Sequence, residues 1–152
     1  MRRRQVKVEA LGITAEDVLR RFGMRNQLIS TFKSLDVWID PSGSLDESFW
    51  GILVSELGRR GLNQEFLPRR VTDSLDSPAS IFLLRGERFD DLLSALSAAV
   101  SHWLEVRGRD AWIALDAYVQ KGDGMERLQI RGSLGDALDA MRAWGSGLLS
   151  AR

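Results

Sequence analysis

The feature that most constrains the fold is a four-residue turn, Lys121-Gly122-Asp123-Gly124. Runs of alternating apolar and polar residues lie on both sides of it, which is typical of two antiparallel strands. An Asp-Gly step between such runs favours a type I′ turn, in which both central residues adopt positive φ. The stretch therefore predicts a β-hairpin with Gly122 and Asp123 at its tip.

This tip sets the register of the two strands, and the register separates the side chains into two faces. One face is mostly apolar, so we expect it to lie against the core. Its predicted cross-strand pairs are Val119 with Glu126, Ala117 with Leu128, Leu115 with Ile130 and Ile113 with Gly132.

The opposite face combines aromatic residues with arginines. It carries Trp112, Asp116, Tyr118, Arg127 and Arg131, and Asp116 is a diagonal neighbour of both arginines, within reach of ion pairing. Aromatic and arginine side chains are enriched at protein–protein hot spots. These five residues are the predicted protein-contact surface, and we expect Trp112→Ala or Arg131→Ala to weaken binding while leaving the melting temperature almost unchanged. The alternatives are that another part of the chain covers this face or that it is solvated.

Two amphipathic helices flank the hairpin. The first carries an apolar stripe from Phe89 to Leu104 and stops at Gly108, and the second begins at Ser133, with Asp136 completing a capping box. We expect both to pack on the apolar hairpin face, which makes a C-terminal α-β-β-α unit.

The rest of the chain supplies more strands and helices. The predicted elements are a strand over Gln5–Leu11, a helix capped by Thr14 and Asp17, an ambiguous segment over Met24–Leu35, a strand over Asp36–Asp40, a helix capped by Ser44 and Glu47 that runs to about Arg60, and strands over Phe66–Val71 and Ser80–Leu84. This order predicts a single α+β domain over residues 1–152, with a mostly antiparallel sheet and helices packed on one face.

Composition excludes several classes of function. The chain of 152 residues has no cysteine, so disulfides and thiolate metal sites are excluded, and its net charge is zero. That balance gives no overall attraction to nucleic acid or to an anionic membrane. No apolar run is long enough to span a bilayer, and no apolar segment follows Met-Arg-Arg-Arg as in a signal peptide. We expect a cytoplasmic protein without a cofactor or a metal.

The residue patterns that suggest catalysis are weak. Ser30 and Lys33 match an S-x-x-K motif, but the companion triplets of that motif are missing. His102, the single histidine, lies at the border of the Phe89–Leu104 stripe, where a solvated residue is more common than a general base. We expect Ser30 and His102 to be non-catalytic. Asp90 and Asp91 suit a helix amino end better than a metal site.

One stretch is similar to a known group of proteins. It consists of Leu96-Ser97-Ala98-Ala99-Val100-Ser101-His102-Trp103-Leu104, basic residues, an alternating strand, the Gly-Asp-Gly turn, a second strand and a helix over Leu134–Trp144. In this pattern the chain from about Leu92 to Trp144 resembles the small effector-associated components of bacterial conflict systems. The resemblance implies a non-enzymatic adaptor module that accompanies proteases, caspase-like enzymes or NTPases.

These observations favour a bacterial protein-interaction domain that acts as an adaptor or accessory component, with a defence or conflict system as one setting for it. Its expected partner is another protein, self-association is compatible with the sequence, and nucleic acid is disfavoured because no RNP-type motif occurs. Two alternatives stay open: a toxin-immunity or inhibitor protein, and a small enzyme whose site is built from dispersed Asp, Arg and Ser residues.

Overall fold

The strands and helices follow one another along the chain in the predicted order. The computed structural model describes residues 4–32, 34–41, 43, 45, 47–67 and 78–150. Its elements are β1 (Gln5–Ala10), α1 (Ala15–Arg21), α2 (Asn26–Phe32), β2 (Val37–Asp40), α3 (Glu47–Arg59), β3 (Gln64–Phe66), β4 (Ala79–Leu83), a 3-10 turn (Gly86–Arg88), α4 (Phe89–Arg107), β5 (Trp112–Lys121), β6 (Gly124–Ser133) and α5 (Leu134–Gly145). In these residues no helix combines the length and the apolar character needed to span a bilayer.

The hairpin of β5 and β6 has the predicted register, because Leu115 pairs with Ile130 and Lys121 pairs with Gly124. The tip is Gly122-Asp123, but the turn type differs from the prediction. Gly122 has φ +60°, whereas no non-glycine residue in the described ranges has positive φ. Positive φ at the first central position alone is the signature of a type II′ turn, in which glycine occupies that position. The predicted type I′ turn is therefore wrong.

The six strands form one sheet in the order β1-β6-β5-β4-β2-β3. Three of the pairings are antiparallel, namely β1 with β6, β6 with β5 and β4 with β2. The β4–β5 and β2–β3 pairings are parallel, so the sheet is mixed. A parallel pair needs a crossover connection, and α4 supplies it between β4 and β5. The α+β class is confirmed, and antiparallel pairs are the majority.

The apolar face of the hairpin lies under α4 and α5, as predicted. Leu115 and Ile130 are fully buried, in one core cluster with residues of α3, α4 and α5. The α4 stripe is buried at its centre, and Phe89 and Leu104 pack against it at the ends. Gly108, with φ +88°, ends α4. Because α3 joins this layer, the larger core spans both halves of the chain.

The expectation that helices cover only one face is wrong. Residues of α1 and α2 form a second core cluster on the opposite side of the sheet. This cluster contains Val18, Leu19, Ile29, Trp38, Phe82, Tyr118 and Met125. The central strands β2, β4 and β5 carry large apolar or aromatic side chains on both faces, so each face requires a covering layer to remove them from water.

The amino-terminal half follows its local signals closely. Thr14 caps α1 in the predicted capping box with Asp17, and the ambiguous segment contains a helix, α2. Strand β3 lies at Gln64–Phe66, ahead of the predicted Phe66–Val71, of which only the first two residues are described. The predicted cap Ser44 also lies outside the described residues, although α3 begins at Glu47.

Candidate functional site

The five predicted contact residues share one face of the hairpin, as expected. Tyr118 pairs with Arg127, Asp116 pairs with Gln129, and Arg131 pairs with Ala114, which is the next pair on this face. This face is the side of the sheet on which α1 and α2 pack. The structure therefore allows each residue of the group to be assigned to the covered or the accessible part of that face.

Tyr118 belongs to the covered part. It is only 4% exposed and its ring stacks on Phe82 with centroids 4.7 Å apart. Phe22, at the end of α1, meets it edge-on at 6.0 Å. Burial raises the pKa of the Tyr118 hydroxyl above its ordinary value. Tyr118 is thus a core residue, and its assignment to an open contact surface is corrected.

Asp116 is also buried, and Arg131 covers it. The Arg131 guanidinium donates hydrogen bonds to Asp116, with Nη1 2.9 Å from Oδ1 and Nη2 3.5 Å from Oδ2. The Asp116 side chain is 6% exposed, while that of Arg131 is 21% exposed. The predicted diagonal ion pair is confirmed for Arg131. Asp116 cannot be reached by a partner without displacing that arginine.

Arg127 pairs with the edge strand instead of with Asp116. Its Nη2 lies 2.7 Å from Oε1 of Glu9 on β1, and its guanidinium lies 5.9 Å from the centre of the Tyr118 ring. The hydrogen bond from Arg127 lowers the pKa of the Glu9 carboxyl. Lys7 Nζ is 3.2 Å from the same carboxylate oxygen. The expected Arg127–Asp116 pair is replaced by an Arg127–Glu9–Lys7 group, because β1 lies beside β6.

Trp112 stands at the far end of the same face, opposite Ser133, and is half-buried. Arg127 and Arg131 keep a similar partial exposure. The predicted surface is therefore closed at Tyr118 and Asp116 and partly accessible at Trp112 and the two arginines.

A buried polar row crosses the same face and was not predicted. Asp40 pairs with Ser80, Ser80 with Asp116, and Asp116 with Gln129. Asp40, Ser80 and Asp116 are each at most 6% exposed. Their alignment depends on which strands are neighbours, and β4 lies between β2 and β5 only in the folded sheet. The one local signal is that Asp40 ends an otherwise apolar strand.

The other candidate catalytic residues remain apart. Ser30 is exposed on α2, and Lys33 lies outside the described residues. His102 is exposed on α4, and Asp90 and Asp91 lie in the first turn of that helix. The part of the chain that the structure describes holds no cluster of three or more His, Asp or Glu residues suited to a metal ion.

Strand β1 forms one edge of the sheet. The Leu11 amide donates to the Met125 carbonyl, so the backbone of Leu11 points towards β6. Because backbone direction alternates along a strand, Gln5, Lys7 and Glu9 also bond to β6, and Val6, Val8 and Ala10 point outwards. The hairpin register leads to the same assignment. Every second residue of β6 directs its backbone N–H and C=O groups to β5, and the residues between them direct theirs to β1. Within the described ranges, no strand pairs with this outer side of β1.

A groove of about 450 Å³ runs along that open edge. It is lined by the β1 residues Val6 to Ala10 and by Leu149 and Ser150 from the segment after α5. Val6, Val8 and Leu149 also pack against the larger core. The edge therefore presents outward backbone groups beside a groove that Val6, Val8 and Leu149 line in part, which is the geometry that a further strand requires.

Comparison of the chain with protein-family models, with curated proteins and with solved structures finds no match.

Proposed function

We propose that this chain is a non-enzymatic protein-interaction module, an adaptor or accessory component, that binds an extended segment of another protein at the β1 edge. The observation that carries the proposal is the outward hydrogen-bonding edge of β1, which borders a groove. An added strand gains main-chain hydrogen bonds at the edge, and alternate side chains of that strand enter neighbouring pockets.

The accessible part of the predicted contact surface suits the rim of such an interface. Arg127 and Arg131 lie on β6, and a strand added to β1 would run two strand spacings away, about 10 Å. The Arg127 guanidinium already reaches Glu9 on β1, so it lies on the side of acidic or carbonyl groups of a partner at that edge, whereas the Arg131 guanidinium is turned towards Asp116 on β5. Trp112 adds a half-buried aromatic surface further from the edge.

The resemblance of Leu92–Trp144 to effector-associated components of bacterial conflict systems supports the adaptor role. In that setting the partner would be a cytoplasmic effector such as a protease or an NTPase. A toxin-immunity protein would use the same binding mode, and it would be recognised because the captured partner loses its own activity in the complex.

The test is capture from a bacterial lysate with three baits: the wild-type chain, Val8→Pro and Val8→Thr. Proline removes an N–H that points away from β6, so the sheet keeps its own hydrogen bonds. Threonine has a similar shape to valine and keeps the N–H, which makes it the matched control. We expect a partner that wild type and Val8→Thr retain and Val8→Pro loses.

Measurement with the purified partner then gives the magnitude. Val8→Pro should raise the dissociation constant by about tenfold or more, and Trp112→Ala should weaken binding by about 1–3 kcal/mol. A captured partner that binds Val8→Pro as tightly as wild type would refute binding at the β1 edge.

The buried polar row favours a second candidate, a small enzyme built on Asp40, Ser80 and Asp116, whose site a substrate would reach by displacing Arg131. Carboxylates beside a hydroxyl are the groups that acid–base and nucleophilic chemistry use. If a substrate screen finds an activity, Ser80→Ala should reduce it by about 10³-fold or more, whereas Ser30→Ala and His102→Ala should leave it within a few-fold. An activity that Ser80→Ala leaves unchanged would exclude this site.

A further inference from the structure

We propose that the β1 edge also accepts the β1 strand of a second copy of this chain, so that two sheets join across a two-fold axis at Val8. The inference rests on the proposed function, because both require the β1 edge to accept a strand. The occupant is a second copy, because the sequence of β1 is complementary to itself in the antiparallel direction.

The direction of the backbone N–H and C=O groups of β1 permits this pairing. Val6, Val8 and Ala10 point their N–H and C=O groups outwards, as the Leu11–Met125 hydrogen bond requires. In an antiparallel pair centred on Val8, Val8 lies opposite Val8 of the second copy and Val6 lies opposite Ala10 of the second copy. All three residues are then in hydrogen-bonded pairs, each with an N–H and a C=O to exchange.

The charges of β1 select this register over its neighbours. Centring the pair on Val8 places Lys7 opposite Glu9 of the second copy, and Glu9 opposite Lys7 of the second copy. These are non-hydrogen-bonded pairs, in which side chains lie closest. A pair centred on Lys7 or on Glu9 would also join the outward backbone groups of the two strands. It would, however, place lysine opposite lysine or glutamate opposite glutamate, which is destabilising. The Arg127–Glu9–Lys7 group would then continue across the axis as an alternating series of charges.

Apolar contacts lie on the other face of the joined strands. Val8 would meet Val8 of the second copy on the face where Val8 and Leu149 pack against the larger core. Leu148, next to this groove in the chain, is 87% exposed and is one of three large exposed apolar side chains in the described residues. A second copy seated on β1 would bring apolar surface towards this leucine.

The experiment is sedimentation equilibrium of the purified 152-residue chain over a wide concentration range. We expect wild type and Val8→Thr to form dimers and Val8→Pro to dissociate at least about tenfold more readily, because each copy loses one donor at the axis. Thermal unfolding of each variant shows whether the fold is retained.

Charge exchange tests the register independently. Lys7→Glu and Glu9→Lys should each dimerise poorly alone, since like charges then face each other across the axis, whereas their mixture should form a heterodimer. Arg21→Glu, a charge reversal on exposed α1 surface, is the control and should dimerise like wild type.

Three results would overturn the inference. They are a wild-type chain that stays monomeric throughout, a dimer that is as tight in Val8→Pro as in wild type, or a Lys7→Glu chain that dimerises as well as wild type. A monomeric chain whose captured partner is still lost in Val8→Pro would leave the proposed function standing and remove only the second copy. If the chain dimerises through β1 but the captured partner still binds Val8→Pro, the proposed adaptor site at this edge is refuted and the dimer stands.

Discussion

The effect expected of Arg131→Ala differs most between the sequence and the structure. If Arg131 belonged to an open contact surface, its truncation would affect a partner and spare the fold. In the structure, however, its guanidinium covers the carboxylate of Asp116 and also donates to the Ile130 carbonyl at 2.9 Å. We therefore expect Arg131→Ala to destabilise the folded chain, in contrast to the nearly unchanged melting temperature that the sequence predicts.

The size of the loss follows from the burial of Asp116. Removing one partner of a buried ion pair leaves an uncompensated charge and costs about 3–5 kcal/mol. The Arg131 side chain is 21% exposed, so water solvates part of the site after truncation, and the expected loss is at the lower end, about 3 kcal/mol. Arg131→Lys keeps a positive charge but loses the two-pronged geometry, and its loss should be smaller.

Urea unfolding of wild type, Arg131→Ala, Asp116→Asn and the double variant measures this energy as a double-mutant cycle. The cycle separates the pairwise coupling from the separate effects of each truncation. A loss below about 0.5 kcal/mol for Arg131→Ala would show that solvent or other groups already compensate Asp116, and the reasoning would be refuted.

Three further predictions concern the fold. Leu115→Ala should cost about 2–5 kcal/mol in urea unfolding, because Leu115 is fully buried. Gly122→Ala should cost at least about 1 kcal/mol, while Asp123→Ala stays within about 0.5 kcal/mol, since only Gly122 has positive φ; equal losses would indicate a type I′ turn. The Ser133 amide lowers the pKa of Asp136, so Asp136 stabilises the fold above its ordinary pKa of about 3.9. This contribution disappears as pH falls through the lower folded pKa, and Asp136→Asn should flatten the pH profile of stability in that range.

The features that the sequence predicts correctly are those decided by neighbours along the chain. The capping boxes at Thr14 and Ser133 need only residues three positions apart, and both form. The hairpin register needs only a two-residue tip and alternating side chains, and every predicted pair is present. Even here the local signal is incomplete, because Gly-Asp is compatible with two turn types and backbone strain at Asp123 decides between them.

The features that the sequence does not predict depend on the order of the strands. The alternating pattern around Tyr118 in the sequence would be the same whether its face of the sheet were open or covered. Its burial follows from Phe82 on β4 and Phe22 after α1, both distant in the chain. The polar row of Asp40, Ser80 and Asp116 has the same origin, since it exists only because β4 lies between β2 and β5.

The order of the strands also moves the candidate interface from the face of the sheet to its edge. The alternation of Val6, Val8 and Ala10 indicates a strand, but it cannot distinguish an inner strand from an outer one. Once β1 is known to be outermost, the alternation of Lys7 and Glu9 acquires a second meaning, because these charges are complementary only when β1 meets its own sequence in reverse. Charged side chains, lysine above all, protect edge strands from association, and like charges along β1 would repel each other when the strand meets its own sequence. Strand β1 instead carries one charge of each sign, symmetric about Val8, which favours pairing in a single register.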